Sequence, residues 1–349
     1  MDKVYIYFGL GEPVNLNDHD FQILDLLFSK ANFYSNIIVK KVYLGLFNVL
    51  FRTETSVYST WLPKLKDTRV KVKAIPREVE NISCGMLYSY LISRCGECYV
   101  LSNRDFRLRI LNRLSDENRI KSIVTEDLQN IALTEDGKVF NIEINERALL
   151  KPLMMPMPIK EVACGKEHVL LLSNVGTIFS YGSGSRGQLG HGSIENQENP
   201  MLIEALEGLE IKAISAGGWH SAAISSYGDL YMWGWNESGQ LGLPCNKLQR
   251  DKRPLEEIET ICCLPKIIEL GNEVAKEVGC GSRHTAVLTE NNHLWTWGWN
   301  DYGQLGHRKY PLTDKPEQIP LPDSFHPVKL QAKYWSTLII GHKKNCSKT

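Results

Sequence analysis

The sequence has no net charge: its 349 residues carry 40 lysines and arginines against 40 aspartates and glutamates. That balance removes the long-range attraction that drives sequence-independent binding to phosphate backbones, so any contact with nucleic acid or histone has to be local. No run of about 18 apolar residues occurs, which excludes a membrane-spanning helix. The opening MDKVYIYFGLGEPVN carries an acid at position 2 and has no sustained apolar core before Gly9, so no secretory signal is expected. Cysteines are nine, an odd and scattered set, which fits reduced thiols in an intracellular protein rather than a disulfide framework. With 43% hydrophobic and 23% charged residues the composition is that of an ordinary globular chain, and disorder is not indicated.

What is present is repetition. The stretch from Ala216 to Gly242, AGGWHSAAISSYGDLYMWGWNESGQLG, breaks at its glycines into short period-2 segments rich in aromatic residues, which reads as strands rather than helices. Tyr231, Trp233 and Trp235 fall on one face of the second strand; the opposite face carries Met232 and Gly234. The bare Gly234 is expected to admit an aromatic ring from a neighbouring sheet.

Two clear copies follow the same order. One begins at Cys164, CGKEHVLLLSNVGTIFSYGSGSRGQLGHG, and the other at Cys280, CGSRHTAVLTENNHLWTWGWNDYGQLGH. The repeated positions are His168, Gly182, Gly187, Gln188 and Gly190 in the first copy. In the middle copy they are His220, Trp233, Gly234, Gly239, Gln240 and Gly242, and in the last His284, Trp297, Gly298, Gly303, Gln304 and Gly306. Relaxing the pattern to turn, apolar strand, polar turn and aromatic strand adds weaker units, with Asn48, Tyr88, Asn130 and Ser336 in the histidine column. Column spacings of 40, 42, 38, 52, 64 and 52 residues suit four-stranded blades, which take about 40 to 50 residues and assemble radially into propellers.

Seven units predict an all-β, seven-bladed β-propeller forming one domain over residues 1–349. Its degenerate blades span 12–150, its clear repeats 160–307, and its last blade 326–341. The last unit lacks an aromatic strand, and the N-terminal 3–12 segment supplies one without a partner. Phe8-Gly9 then takes the place of Trp233-Gly234, and the N-terminal strand closes the ring by pairing with the C-terminal blade, leaving no open sheet edge.

Irregular segments stand out against the repeat. The three prolines of KPLMMPMPIK, Lys151 to Lys160, indicate an extended connection between blades. The 64-residue spacing holds an inserted loop, 243–265, that reads equally as a partner contact or as a tolerated insertion. Arg69, Lys71 and Lys73 alternate along one face of a strand, as charges guarding a sheet edge do.

Constellations that could carry chemistry resolve into the repeat. Gly182, Gly184 and Gly187 spell G-x-G-x-x-G, but a dinucleotide site needs a following helix, and Q-L-G-H-G is no helix start. His168, His220 and His284 occupy one column of three blades and so do not converge on a metal; each is expected to bond backbone groups at a strand start. Cys95 and Cys98 form a lone C-x-x-C at an inter-strand turn, short of the second pair that zinc requires. The adjacent Cys262 and Cys263, inside the insertion, are candidates for exposed thiols but not for an internal bridge, with structural thiols as the default reading. No nucleophile with its base and no paired carboxylates appear, so no enzymatic activity, cofactor or metal is predicted. Trp219, Trp235, Asn236, Trp299, Asn300 and Tyr302, at strand ends and turns, are the candidate partner-binding residues.

The glycine-then-histidine strand start, the aromatic-Gly-aromatic strand and the G-Q-L-G turn together resemble the repeats of the regulator of chromosome condensation family, strongly over residues 160–307 and in register elsewhere. That resemblance implies a seven-bladed propeller acting as a non-catalytic interaction scaffold. Members with three strong repeats behind a degenerate first half imply association with a JmjC-type oxygenase, with histone or chromatin, and with chromosome segregation. A monomer in nucleus and cytoplasm, with no membrane contact, follows from the same resemblance. The alternative it offers is guanine-nucleotide exchange on a Ran-type GTPase.

Overall fold

A computed structural model describes residues 3–9, 41–45, 48–52, 57–61, 79–104, 107–111, 119–126, 129–144, 148–248, 258–307 and 309–343. All sheets are antiparallel, and all but the closing one follow chain order. Five have four strands: β5 to β8 (Val79–Cys84, Tyr88–Ser93, Cys98–Ser102, Leu108–Ile110) and β9 to β12 (Ile120–Glu126, Gln129–Thr134, Val139–Ile144, Ala148–Leu153) come first. They are followed by β13 to β16 (Ile159–Cys164, His168–Ser173, Ile178–Gly182, Gln197–Leu202) and β17 to β20 (Ile211–Ala216, His220–Ser225, Leu230–Trp235, Ile261–Ile268). The fifth is β21 to β24 (Ala275–Cys280, His284–Thr289, Leu294–Trp299, Leu312–Ile319).

The closing blade is built from both ends of the described chain. β25 (Phe325–Lys333) pairs with β26 (Ser336–Lys343), and β1 (Lys3–Gly9) pairs with the other edge of β26, with Gly9 opposite Ser336 and Phe8 opposite Thr337. In the middle repeat Gly234 lies opposite His220 and Trp233 opposite Ser221. β1 therefore occupies the register of the aromatic strand.

Six blades are clear on this count. Residues 41–61 form a three-stranded sheet, β2 (Lys41–Leu44), β3 (Asn48–Arg52) and β4 (Val57–Trp61), so among the described residues the expected seventh blade is not complete. Residues 62–78, where a fourth strand would fall in the order of the other blades, lie outside the described residues. Arg69, Lys71 and Lys73 lie outside the described residues.

The hydrophobic cores lie between blades. Leu170, Leu172 and Ile178 of one blade and Ile211, Ala223 and Trp233 of the next form one such cluster. Ile6 and Phe8 of β1 join Ala286, Leu288 and Leu294 in another. Each blade thus depends on its neighbours for burial, and the chain folds as a ring rather than as independent sheets.

Two irregular segments are more ordered than expected. Lys151, Pro152 and Leu153 belong to the outer strand β12, where a proline costs no ladder bond toward a further strand, and Ile159 and Lys160 open β13, so only residues 154–158 are connection. The insertion is shorter than 243–265 because Ile261 to Pro265 already belong to the outer strand β20. Cys262 is therefore buried and Cys263 half-buried, not exposed thiols, because β20 packs them against the blade.

Candidate functional site: an aromatic and cationic arc on one face

The repeated histidines are fully buried and bond across blades. His168 Nε2 lies 2.8 Å from Ser221 Oγ, His220 Nε2 3.1 Å from Thr285 Oγ1, and His284 Nε2 2.9 Å from Thr337 Oγ1. Each hydroxyl in turn donates to a backbone carbonyl of a Gly-Gln-Leu-Gly turn: Ser221 to Gln188 at 2.9 Å, Thr285 to Gln240 at 2.8 Å, Thr337 to Gln304 at 2.9 Å. A hydroxyl has one proton, so it accepts from the imidazole, and each ring carries its proton on Nε2. The expected backbone partners are thus replaced by side-chain hydroxyls of the next blade, since the histidine points across the inter-blade seam.

Tryptophan closes the same clamp. Trp233 Nε1 donates to Gln188 O at 3.0 Å and Trp297 Nε1 to Gln240 O at 2.9 Å. The glycine that admits the neighbour's ring is the turn glycine and not, as expected, the strand glycine. A Cβ on Gly190 would stand 2.9 Å from the Trp233 indole. Gly234 serves its own backbone, with φ at 106° and a Cβ position 2.6 Å from Trp219 O.

Burial, reinforced by neighbouring imidazoles at His168 and His284, lowers the pKa of all three histidines to about 3. The neutral ring is the folded form and protonation favours the unfolded chain. The stability they contribute is complete above about pH 6.5 and is lost as pH falls from there toward the folded value. Replacing all three with Asn, which Asn130 already supplies in the same column, is expected to flatten the acid limb of a thermal-unfolding profile between pH 6 and 4 and to cost about 1 kcal/mol per site at neutral pH. A variant profile parallel to that of the wild type would contradict this assignment.

Side chains flanking the clamp reach one face of the disc, where the second strands begin and the third strands end. There Lys166, Trp219, Arg186, Trp235, Arg283 and Trp299 interleave as an arc. Lys166 Nζ lies 4.6 Å from the Trp219 ring centroid, and the Arg186 guanidinium 4.9 Å from Trp219 and 4.1 Å from Trp235. The Arg283 guanidinium lies 4.6 Å from Trp235 and 5.9 Å from Trp299. Trp219 and Trp235 meet edge to face at 5.3 Å and 88°. Beyond Trp299 the arc ends in Tyr302 and Trp335, with rings 5.6 and 4.7 Å from that of Trp299. Such contacts are worth about 0.5–2 kcal/mol each and hold long cationic side chains in place. Glu237 approaches Arg283 at 3.7 Å and Lys247 at 3.8 Å, and Trp219 Nε1 donates to Glu167 at 3.4 Å.

Of the six residues expected to bind a partner, Trp219, Trp235, Trp299 and Tyr302 belong to this arc. Asn236 and Asn300 do not, because both are buried and organise their turns. Asn236 donates to the carbonyls of Leu243, Pro244 and Glu259 and accepts from Leu241 N; Asn300 does the same with His307, Tyr310 and Leu305. Lys166, Arg186, Arg283 and Trp335 were not expected. The signal for Arg283 and Trp335 lay in the column just before the histidine, which reads Glu167, Trp219, Arg283 and Trp335.

The axis of the ring holds a cavity of about 190 Å³, lined by the innermost strands and including Glu126, Glu161, Cys164, Cys280 and Lys333. Lys333 Nζ crosses it, donating to Cys84 O at 2.5 Å and Thr125 O at 2.6 Å, with Glu126 at 3.5 Å. Burial raises the Glu161 carboxyl to about 7, with Glu277 adding to the rise and Lys160, Lys329 and Lys121 opposing it. The folded state therefore prefers the protonated acid, and stability declines as pH rises from about 4.5 through 7. Glu161→Gln is expected to gain on the order of 1–3 kcal/mol at pH 8 and nothing at pH 4, read from urea midpoints at the two pH values. An equal gain at both would show that the effect is not titration.

Gly182, Gly184 and Gly187 enter the turn that leads to the outer strand β16, with no helix behind them. Cys95 is exposed and Cys98 buried, at either end of the β6 to β7 turn. Among the described residues no group of three or more His, Cys, Asp or Glu is placed to hold a metal, and no helix is long and apolar enough to cross a membrane.

Comparison with known proteins gives a consistent picture. The family model for the regulator of chromosome condensation (RCC1) repeat matches residues 175–224, 227–288 and 291–339. The chain is 37% identical over 229 residues to RCC1 domain-containing protein 1 of Homo sapiens, covering 56% of this chain and 60% of that protein. It is 42% identical over 196 residues to the Mus musculus counterpart, covering 49% and 52%. The matched regions thus span between half and three-fifths of these relatives. Among solved structures, Prp20p from Saccharomyces cerevisiae superposes with a TM-score of 0.77 at 19% identity, covering 99% of this chain and 93% of that one. That likeness speaks to the fold alone.

Proposed function

Since the chain carries regulator of chromosome condensation (RCC1) repeats, we propose that it is a non-catalytic scaffold that binds protein partners through the aromatic and cationic face. The partner class is a JmjC-type oxygenase together with histone or chromatin, in chromatin regulation and chromosome segregation, from a protein resident in nucleus and cytoplasm. The propeller of this reading has seven blades and is monomeric, with β2 to β4 as the first blade. One observation carries the proposal: tryptophans and guanidinium groups, the side chains that dominate interface hot spots, are gathered on one face instead of dispersed. Affinity purification from cells under mild salt, followed by mass spectrometry, should recover a JmjC-domain protein; its absence from repeated purifications would overturn that partner.

The alternative is exchange of guanine nucleotide on a Ran-type GTPase. Its support is the fold shared with Prp20p, a protein with binding properties to Gsp1p and histones. Exchange predicts faster release of labelled GDP from the GTPase on adding the purified chain, and an unchanged release rate would dispose of it.

A further inference from the structure

We propose that the arc receives an acidic segment of a partner protein, with the Arg186 guanidinium as the group that grips a carboxylate and the Trp299, Tyr302 and Trp335 cluster as the seat for apolar side chains that follow it. The inference rests on the scaffold reading above and gives its binding face a chemistry.

Arg186 differs from the other cations of the arc. Arg283 and Lys247 share Glu237. Among the described residues Arg186 has no carboxylate within ion-pair reach; its contacts are the two indoles, at 4.1 and 4.9 Å from their centroids. It stands in the corner between rings set at 88° to one another. Its backbone is held as well, since Arg186 N donates to Gln188 Oε1 at 2.8 Å in the Gly-Gln-Leu-Gly turn. Beside two rings at 88° a planar guanidinium can lie flat on only one of them, and the N–H groups not turned toward the other ring remain to meet a carboxylate, which the guanidinium fork matches in bidentate fashion. Because the side chain is already fixed, little conformational entropy remains to be lost on binding.

The surroundings favour a peptide over a nucleic acid. Glu167 and Glu237 sit within the arc, and Asp301 is exposed at the Glu237 position of the next repeat. A polyphosphate chain following the arc would meet these carboxylates, and the zero net charge of the protein supplies no compensating attraction. A segment with one or two acids at Arg186 and apolar residues beyond avoids that repulsion. It would lay its apolar part on the tryptophan and tyrosine rings, of which Tyr302 is 44% exposed.

Fluorescence anisotropy of the full chain tests this with three labelled probes: a peptide of alternating Glu and Asp followed by Phe and Leu, the same peptide with Gln and Asn in place of the acids, and an oligothymidine. The acidic peptide should bind saturably and the amide version about tenfold or more weakly, as loss of a charge-assisted bidentate pair requires. Arg186→Gln should erase the difference between the two peptides while the chain stays folded, its thermal midpoint lowered by no more than about a few degrees, and Arg186→Lys should restore part of the difference. Equal binding of both peptides, no saturable binding of either at millimolar concentration, or tighter Arg186-dependent binding of oligothymidine would each overturn the assignment. Purification from cells separates the two levels. If Arg186→Gln recovers the wild-type partners in full, the acidic-segment inference fails and the scaffold stands; if the wild type recovers none, the scaffold itself fails.

Discussion

Trp233→Ala should destabilise the propeller by about 3–5 kcal/mol, the range for emptying a fully buried aromatic site. The ring is inaccessible to solvent, packs among Leu170, Leu172, Ile178, Ile211 and Ala223 across a blade seam, and donates its indole proton to Gln188 O. Trp233→Phe should cost far less, about 1–2 kcal/mol. The carbonyl of Gln188 keeps its bond from Ser221, and the chain already uses phenylalanine at this place in one blade. In the closing blade a Cβ on Gly306 would stand 2.9 Å from the Phe8 ring, as one on Gly190 would from Trp233, and Gln304 O is served by Thr337 alone. Trp219→Ala, on the half-exposed face, is the comparison and should cost less than Trp233→Ala, since it empties no core site. Urea midpoints of the three variants give the comparison. If the phenylalanine and alanine variants were equally unstable, the hydrogen bond rather than the ring volume would hold the seam.

Removal of residues 1–9 should have the second large effect. Seven residues of β1 pair with β26, and the buried Ile6, Tyr7 and Phe8 leave the core with them. At about 1.5–3 kcal/mol for each buried side chain the loss reaches roughly 5–9 kcal/mol, comparable to the whole stability of a typical domain. The buried hydrogen bond between Tyr7 Oη and Ser336 Oγ, 2.7 Å long, goes as well. The truncated chain also exposes β26 as an open edge with Leu338 and Ile339 behind it, a template for pairing between copies. The expected result is an aggregated or oligomeric product in size-exclusion chromatography, returned to monomer by a synthetic peptide of residues 1–12 supplied in trans. A soluble monomer with the wild-type melting temperature would mean that β1 does not close the ring.

The closing strand was legible because register carries information. Phe8-Gly9 repeats the order of Trp233-Gly234, which picks the register, and a one-residue slip of a strand with period 2 would turn its apolar face away from the core. The histidine column was legible for a similar reason: His168, His220 and His284 each open a second strand, as Asn48, Tyr88 and Ser336 do. Their partners were not. Ser221, Thr285 and Thr337 follow the column by one residue and face the preceding blade, and no local pattern says which blade a hydroxyl will meet.

The binding face divides along the same line. Trp219, Trp235, Trp299 and Tyr302 were identified as aromatics at strand ends, which is a local property. Asn236 and Asn300 look the same in sequence, yet Asn236 spends its amide on three carbonyls of its own loop and Asn300 on two, because a long loop must satisfy its buried backbone groups from within. Arg186 is 33 residues from Trp219 and 49 from Trp235 in the sequence, and Arg283 is a further repeat away. Alternating patterns, turn glycines and the column of histidines determined by themselves that this chain makes blades and where each begins, since those features depend on a few neighbouring residues. Tertiary structure alone decided that cations and indoles from successive repeats interleave into one arc. Radial packing sets residues a full repeat apart side by side, and only that packing selects which of them meet.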